Sequence, residues 1–299
     1  MAYRMGLDRL ENLRMLYPEW RVLDREVLQE WRTLWWFIYR LDSYSNISSG
    51  TPFLIDDKFI NTSLVLSFSS SSSGSDGAAP ENLRMPSNPE FFWKIIPALS
   101  SNPETFLQNA HLVAISATRQ AGVVLRHHCV LSKEELVDKD FSAFERHLSA
   151  LRLALPSGWF NPKRNAFSNE TQAYHHGRLN SVILLLMSQL LISIIGCAIA
   201  KNDEWLSNWQ RILETCQGIA SVAAEYDTSF CIKVDPAICF VYFTALIFLE
   251  MHRKSSTFSV PDLLSNIEHD QTVLRLQLEQ FAKIWTLPKL LISKLMLTF

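Results

Sequence analysis

Hydrophobic and polar positions in residues 30–42, Glu-Trp-Arg-Thr-Leu-Trp-Trp-Phe-Ile-Tyr-Arg-Leu-Asp, recur at the spacing of an α-helix. At about 3.6 residues per turn, Trp31, Leu34, Trp35, Ile38, Leu41 and Ser45 share one face, while Glu30, Arg32, Thr33 and Arg40 lie mainly on the other. Trp36 and Tyr39 widen the apolar arc beyond one stripe, so this helix is expected to be covered on more than one side. Each aromatic ring of that size buries on the order of 150–250 Å², enough for the cluster to anchor several neighbouring helices. The indoles at positions 31, 35 and 36 are therefore expected in the core.

The central helix is predicted over about 23–48, after a first helix closed by Pro18, with Asp24 and Glu26 early where the helix dipole favours acids. Gly50 supplies backbone freedom for the turn that follows. Asp42 is placed to pair with an arginine or to tie down that turn. Asp56 and Asp57, adjacent in a segment expected to be extended, point opposite ways and suit loop capping better than paired acid chemistry. From Ser67 to Gly77 the pattern decays into a serine-rich run with too little apolar surface to stay ordered, continuing through Pro80 and Pro86.

Helical periodicity then returns near 90–99, 103–129, 133–154, 169–200, 203–226, 236–253, 261–285 and 288–298. Several starts carry caps: Asn102 before Pro103, the Ser132 to Glu135 capping box, Ser259 before Pro261, and Pro288. Leu155 to Pro162 reads as an irregular connection with Trp159 and Phe160 as anchors. The predicted fold is all-α, an irregular multi-helix bundle or superhelix around the Trp-rich central helix with one disordered Ser-rich loop. Its expected divisions are an N-terminal helical part (1–66), a flexible Ser/Gly/Pro-rich linker (67–88) and a helical body (89–299).

Composition narrows the function classes. Only 9 glycines and 12 prolines in 299 residues argue against an all-β design. A net charge of -2, with basic residues scattered, argues against a phosphate-binding face, so this chain is not expected to read DNA by itself. The five cysteines (129, 197, 216, 231 and 239) are far apart and contain no C-x-x-C, which suits reduced thiols in an intracellular protein rather than disulfides or a structural zinc cluster. The adjacent histidine pairs 127–128 and 175–176 point about 100° apart on a helix and cannot share one metal as an i, i+4 pair would. No nucleophile elbow, phosphate loop or dinucleotide fingerprint is present, so no catalytic residues are assigned and no enzyme activity is expected. Leu179 to Ala200 carries no charge and is long enough to cross a bilayer. Its stripe of Ser181, Ser188, Gln189, Ser193, Gly196 and Ala200 equally suits a core helix approached closely by another. A membrane protein spanning through this segment is the alternative reading.

The motif R-x-x-W-W-x-x-Y-x-L-D, carried by Arg32, Trp35, Trp36, Tyr39, Leu41 and Asp42, is followed by Gly50, Pro52, Ile55, Asp56, Asp57 and Ile60 in fixed order. This array resembles the signature of the fungal-specific transcription factor domain, the middle homology region of binuclear zinc-cluster regulators. Ser43 and Thr51 stand where that family usually has arginine. Ala2 to Arg9 is similar to the end of the helix that precedes the signature, so the resemblance implies a domain whose start lies upstream of Met1, with the zinc-binding cysteine cluster absent from this chain. Tyr174, His175 and His176 and the apolar run after them are similar to its later part, with His175 matching the family's histidine as a packed or hydrogen-bonded core residue. The resemblance implies a nuclear regulator without covalent chemistry, which governs a metabolic or secondary-metabolite pathway. It further implies a protein partner or homodimer, a small-molecule effector, and DNA reached only indirectly or through a missing N-terminal domain. No cofactor and no membrane are expected.

Overall fold

A computed structural model of the protein describes residues 6–16, 19, 24–65, 83–130, 138–165, 169–200, 203–227, 229, 237–255 and 261–298. Among the described residues the fold is all-α, with ten α-helices: α1 Leu10–Leu16, α2 Arg25–Ser49, α3 Phe92–Ser100, α4 Pro103–Val130, α5 Asp138–Ala154, α6 Gln172–Ile199, α7 Asp203–Ala224, α8 Ile238–Lys254, α9 Pro261–Ala282 and α10 Thr286–Thr298. The sole β-type pairing among them is an isolated antiparallel bridge between Ser63 and Arg84, which brings the far end of the expected linker back to residue 63. Residues 67–82 of that linker, and the expected caps at 132–135 and 259–260, lie outside the described residues.

The chain forms two compact units. One comprises Met1–Ala117 with Arg146–Leu155, and the other Thr118–Glu145 with Pro156–Phe299. In the first unit α2 is the organising element, closed by Gly50 in the left-handed region (φ 68°), a conformation glycine adopts without steric cost. Its buried side differs from the expected one. Trp35, Trp36 and Tyr39 are fully enclosed, and Arg32 joins them at 3% exposure, although its charge placed it on the polar face. Trp31 is only half-buried, and Leu34, Phe37 and Leu41 are 43%, 51% and 52% exposed. The helix is thus covered on one side, selected by specific polar anchors rather than by the apolar period alone.

In the second unit α6 packs against α7 and α8, while α9 meets α7, α8 and α10. The α6 helix is long and apolar enough to cross a bilayer, and 72% of its most apolar window is buried inside the protein. Its small residues explain the packing: a Cβ at Gly196 would fall 2.8 Å from Asn208 Cγ of α7, so the two helices touch where only hydrogen fits. Ser188 and Ser193 donate to the carbonyls four residues back, which lets these hydroxyls lie in an apolar interior. The last helix starts at Thr286, two residues before the expected Pro288; the proline falls in the first turn, where a missing N–H breaks no helical bond.

Candidate functional site

The motif assembles around one stretch of backbone, residues 61–65. From α1, Glu11 Oε1 accepts both Arg32 Nε (3.1 Å) and Arg32 Nη2 (2.8 Å), and also the backbone N–H of Ser63 (3.1 Å). From α2, Trp36 Nε1 donates to the Ser63 carbonyl at 2.9 Å. A single peptide segment is thereby gripped through its amide and its carbonyl by two helices. Thr62 Oγ1 accepts from Leu10 N at 3.3 Å and donates to the Leu7 carbonyl, and Asn109 Nδ2 of α4 donates to Val65 O at 2.8 Å. The Arg32–Glu11 pair explains the buried arginine: both side chains are at most 9% exposed, and a charge there is tolerable only with its counter-charge and hydrogen bonds in place.

The remaining motif residues extend this brace. Tyr39 packs edge-on to Trp36, ring centroids 5.4 Å apart, and its hydroxyl shares a 3.0 Å hydrogen bond with Ser116 of α4. Asp42 takes the loop-tying role, accepting the backbone N–H groups of Leu54 (3.0 Å) and Ile55 (3.2 Å), and Ile55 is then buried. Asp56 is extended (φ -91°, ψ 118°) and takes the expected loop-capping role, accepting Lys58 N at 2.9 Å, while Asp57 begins the short 3-10 turn Asp57–Phe59. Leu41, Gly50, Pro52 and Asp56 are exposed and Asp57 is half-buried, so the structure gathers Arg32, Trp35, Trp36, Tyr39, Asp42 and Ile55 and leaves the others at the rim. Beside the brace, His111 of α4 bonds the Tyr44 hydroxyl at 3.0 Å. Burial, aided by the Arg40 charge, pushes its pKa down to about 3.

The second unit has two side-chain clusters that sequence reasoning missed. Arg178 of α6 uses all five N–H groups: Nε and Nη2 on the Glu170 carboxylate, Nη1 on the carbonyls of Trp159 and Asn161, and Nη2 also on that of Lys163. Together with His175 Nε2, 2.7 Å from Pro162 O, it fixes the irregular connection, and His175 is the hydrogen-bonded core residue that was expected. On α8, Glu250 is held by Arg253 (2.6 and 2.7 Å) and by Gln271 of α9 (3.0 Å), which with Lys254 bring its carboxyl down to about 2. The one sequence cue to either cluster is a charge at the edge of an apolar helix, Arg178 before the run at 179–200 and Glu250 after the run at 236–249. Among the described residues no three of His, Cys, Asp and Glu converge to hold a metal; Cys216 and Cys239 are buried, and burial raises the Cys216 thiol pKa.

The hydrogen bonds of Arg32, Trp36, Tyr39, Asp42 and Asp56 run to backbone groups or to side chains of neighbouring helices. Such a site defines a helical scaffold whose signature residues hold segments together. The particular family follows from comparison: residues 1–117 match the family model of the fungal specific transcription factor domain, so this part of the chain is such a domain. That family is a regulatory class, not an enzyme class, and implies a nuclear role. No curated protein and no solved structure matches the chain.

Proposed function

We propose that the chain is the regulatory, middle-homology portion of a fungal zinc-cluster transcription factor, acting in the nucleus on a metabolic or secondary-metabolite pathway. The matched stretch and the helical body through residue 299 serve as one regulatory region, and its work is conformational. It takes a protein partner or a second copy of itself, responds to a small-molecule effector, and reaches DNA only through a partner or a domain outside this chain. The observation that carries this reading is the coincidence of the family match with the brace of Glu11, Arg32, Trp36 and Asp42. The near-neutral charge and the lack of any C-x-x-C support indirect DNA contact.

A reporter assay tests it. The chain is fused to an unrelated DNA-binding domain, and reporter output in a fungal host is compared with that of the DNA-binding domain alone. A change in output that Asp42→Ala abolishes at equal protein level supports the regulatory role; unchanged output refutes it. In a mobility-shift assay near physiological salt the unfused chain is expected to leave duplex DNA unshifted.

The length and apolarity of α6 favour a membrane reading, and its burial favours a core helix. Carbonate extraction separates them, since only an integral protein stays in the membrane pellet.

A further inference from the structure

Two clefts in the second unit contain an arginine, and they differ in what that arginine has left to offer. The cleft beside α6 is lined by Trp159, Tyr174, Glu170 and Arg178, but the guanidinium has all five donors engaged within the protein. It presents no free charge to a ligand.

The other cleft, about 250 Å³, lies between α8, α9 and α10 and is lined by Leu246, Glu250, Arg253, Gln271, Arg275, Ile292 and Leu295. Its buried carboxylate, Glu250, is saturated by Arg253, Gln271 and Lys254. Arg275 is exposed at the rim and has no ion-pair partner among the described residues. Two cations, Arg253 and Arg275, line the cleft with one carboxylate, Glu250; outside the lining Lys254 reaches Glu250 and Glu268 acts on Arg253, so the balance stays positive by one charge. Leu246, Ile292 and Leu295 supply the apolar part of the lining.

We infer that this cleft binds a small amphipathic carboxylate, with the acid on Arg275 and its hydrocarbon tail against Leu246, Ile292 and Leu295. A guanidinium presents paired N–H groups that match a carboxylate, and a free one beside an apolar wall selects for an acid with a tail over a sugar or an amine. The volume lies below the roughly 300–1,000 Å³ of most ligand pockets and so favours a compact acid over a nucleotide. This inference rests on the regulatory reading only in giving its effector a site and a chemical class; the binding itself stands without it.

The test uses the full chain and hexanoate as probe, with 1-hexanol and hexylamine as controls, by ligand-observed NMR titration. Saturable hexanoate binding is expected, at least tenfold tighter than either control. Arg275→Gln should weaken it at least tenfold with an unchanged urea midpoint, and Ile292→Ser should weaken it through the tail. Absence of hexanoate binding, equal binding of 1-hexanol, or binding unaffected by Arg275→Gln would each overturn the proposal. The fusion reporter assay needs no added acid, so failure here and failure of the regulatory reading are separable.

Discussion

At the scale of single residues, stability rests on a few side chains that each satisfy several backbone groups. Asp42→Ala removes the acceptor of two loop N–H groups, one of them at buried Ile55. Unpartnered buried donors cost about 1–3 kcal/mol, so the variant should unfold at lower urea by that amount, with Asp42→Asn losing less. Arg178→Ala leaves the buried Glu170 carboxylate unpaired and three carbonyls without their donor, and about 3–5 kcal/mol should be lost in the same measurement. His111 gives a pH signature. Its folded pKa of about 3 lies below its ordinary 6.5, so between those values the unfolded chain holds the extra proton and stability falls as pH falls. Above pH 6.5 the contribution is fully present, and His111→Gln should flatten the stability profile between pH 6.5 and 4 by up to about 1.4 kcal/mol per unit. Glu250 adds a separate acid-side loss as pH drops from its ordinary 4.5 toward about 2.

At the scale of elements, most helices were legible from periodicity and punctuation, because Pro103 and Gly50 act locally and the chain pattern records them. The orientation of α2 was not legible. Its apolar arc is so wide that periodicity leaves the buried side undecided; the choice is made by Glu11, Ser63 and Ser116, which lie distant in sequence. Nor was the role of Arg178, since its five acceptors come from a loop whose path no residue pattern encodes. The small-residue stripe of α6 was visible, but its partner was not. Gly196→Val should force α6 from Asn208 and cost about 1–3 kcal/mol, and an Asn208→Ala background should recover part of that loss in a double-mutant cycle.

At the scale of the whole molecule, the family match and the first segment of the first unit end at the same residue, 117, yet that unit also recruits Arg146–Leu155, where Leu148, Leu151 and Leu155 are buried. A fragment of residues 1–117 should therefore lack a cooperative urea transition by circular dichroism, whereas 1–155 should show one. Residue 117 also falls inside α4, whose 28 residues continue unbroken to Val130. Gene shuffling that swaps this module between regulators at its homology border would sever the helix midway, stripping carbonyl acceptors from amides that had them. Crossovers tolerated by such chimeras should cluster beyond the ten-residue return segment, which makes the inheritable unit of this protein longer than its recognisable one.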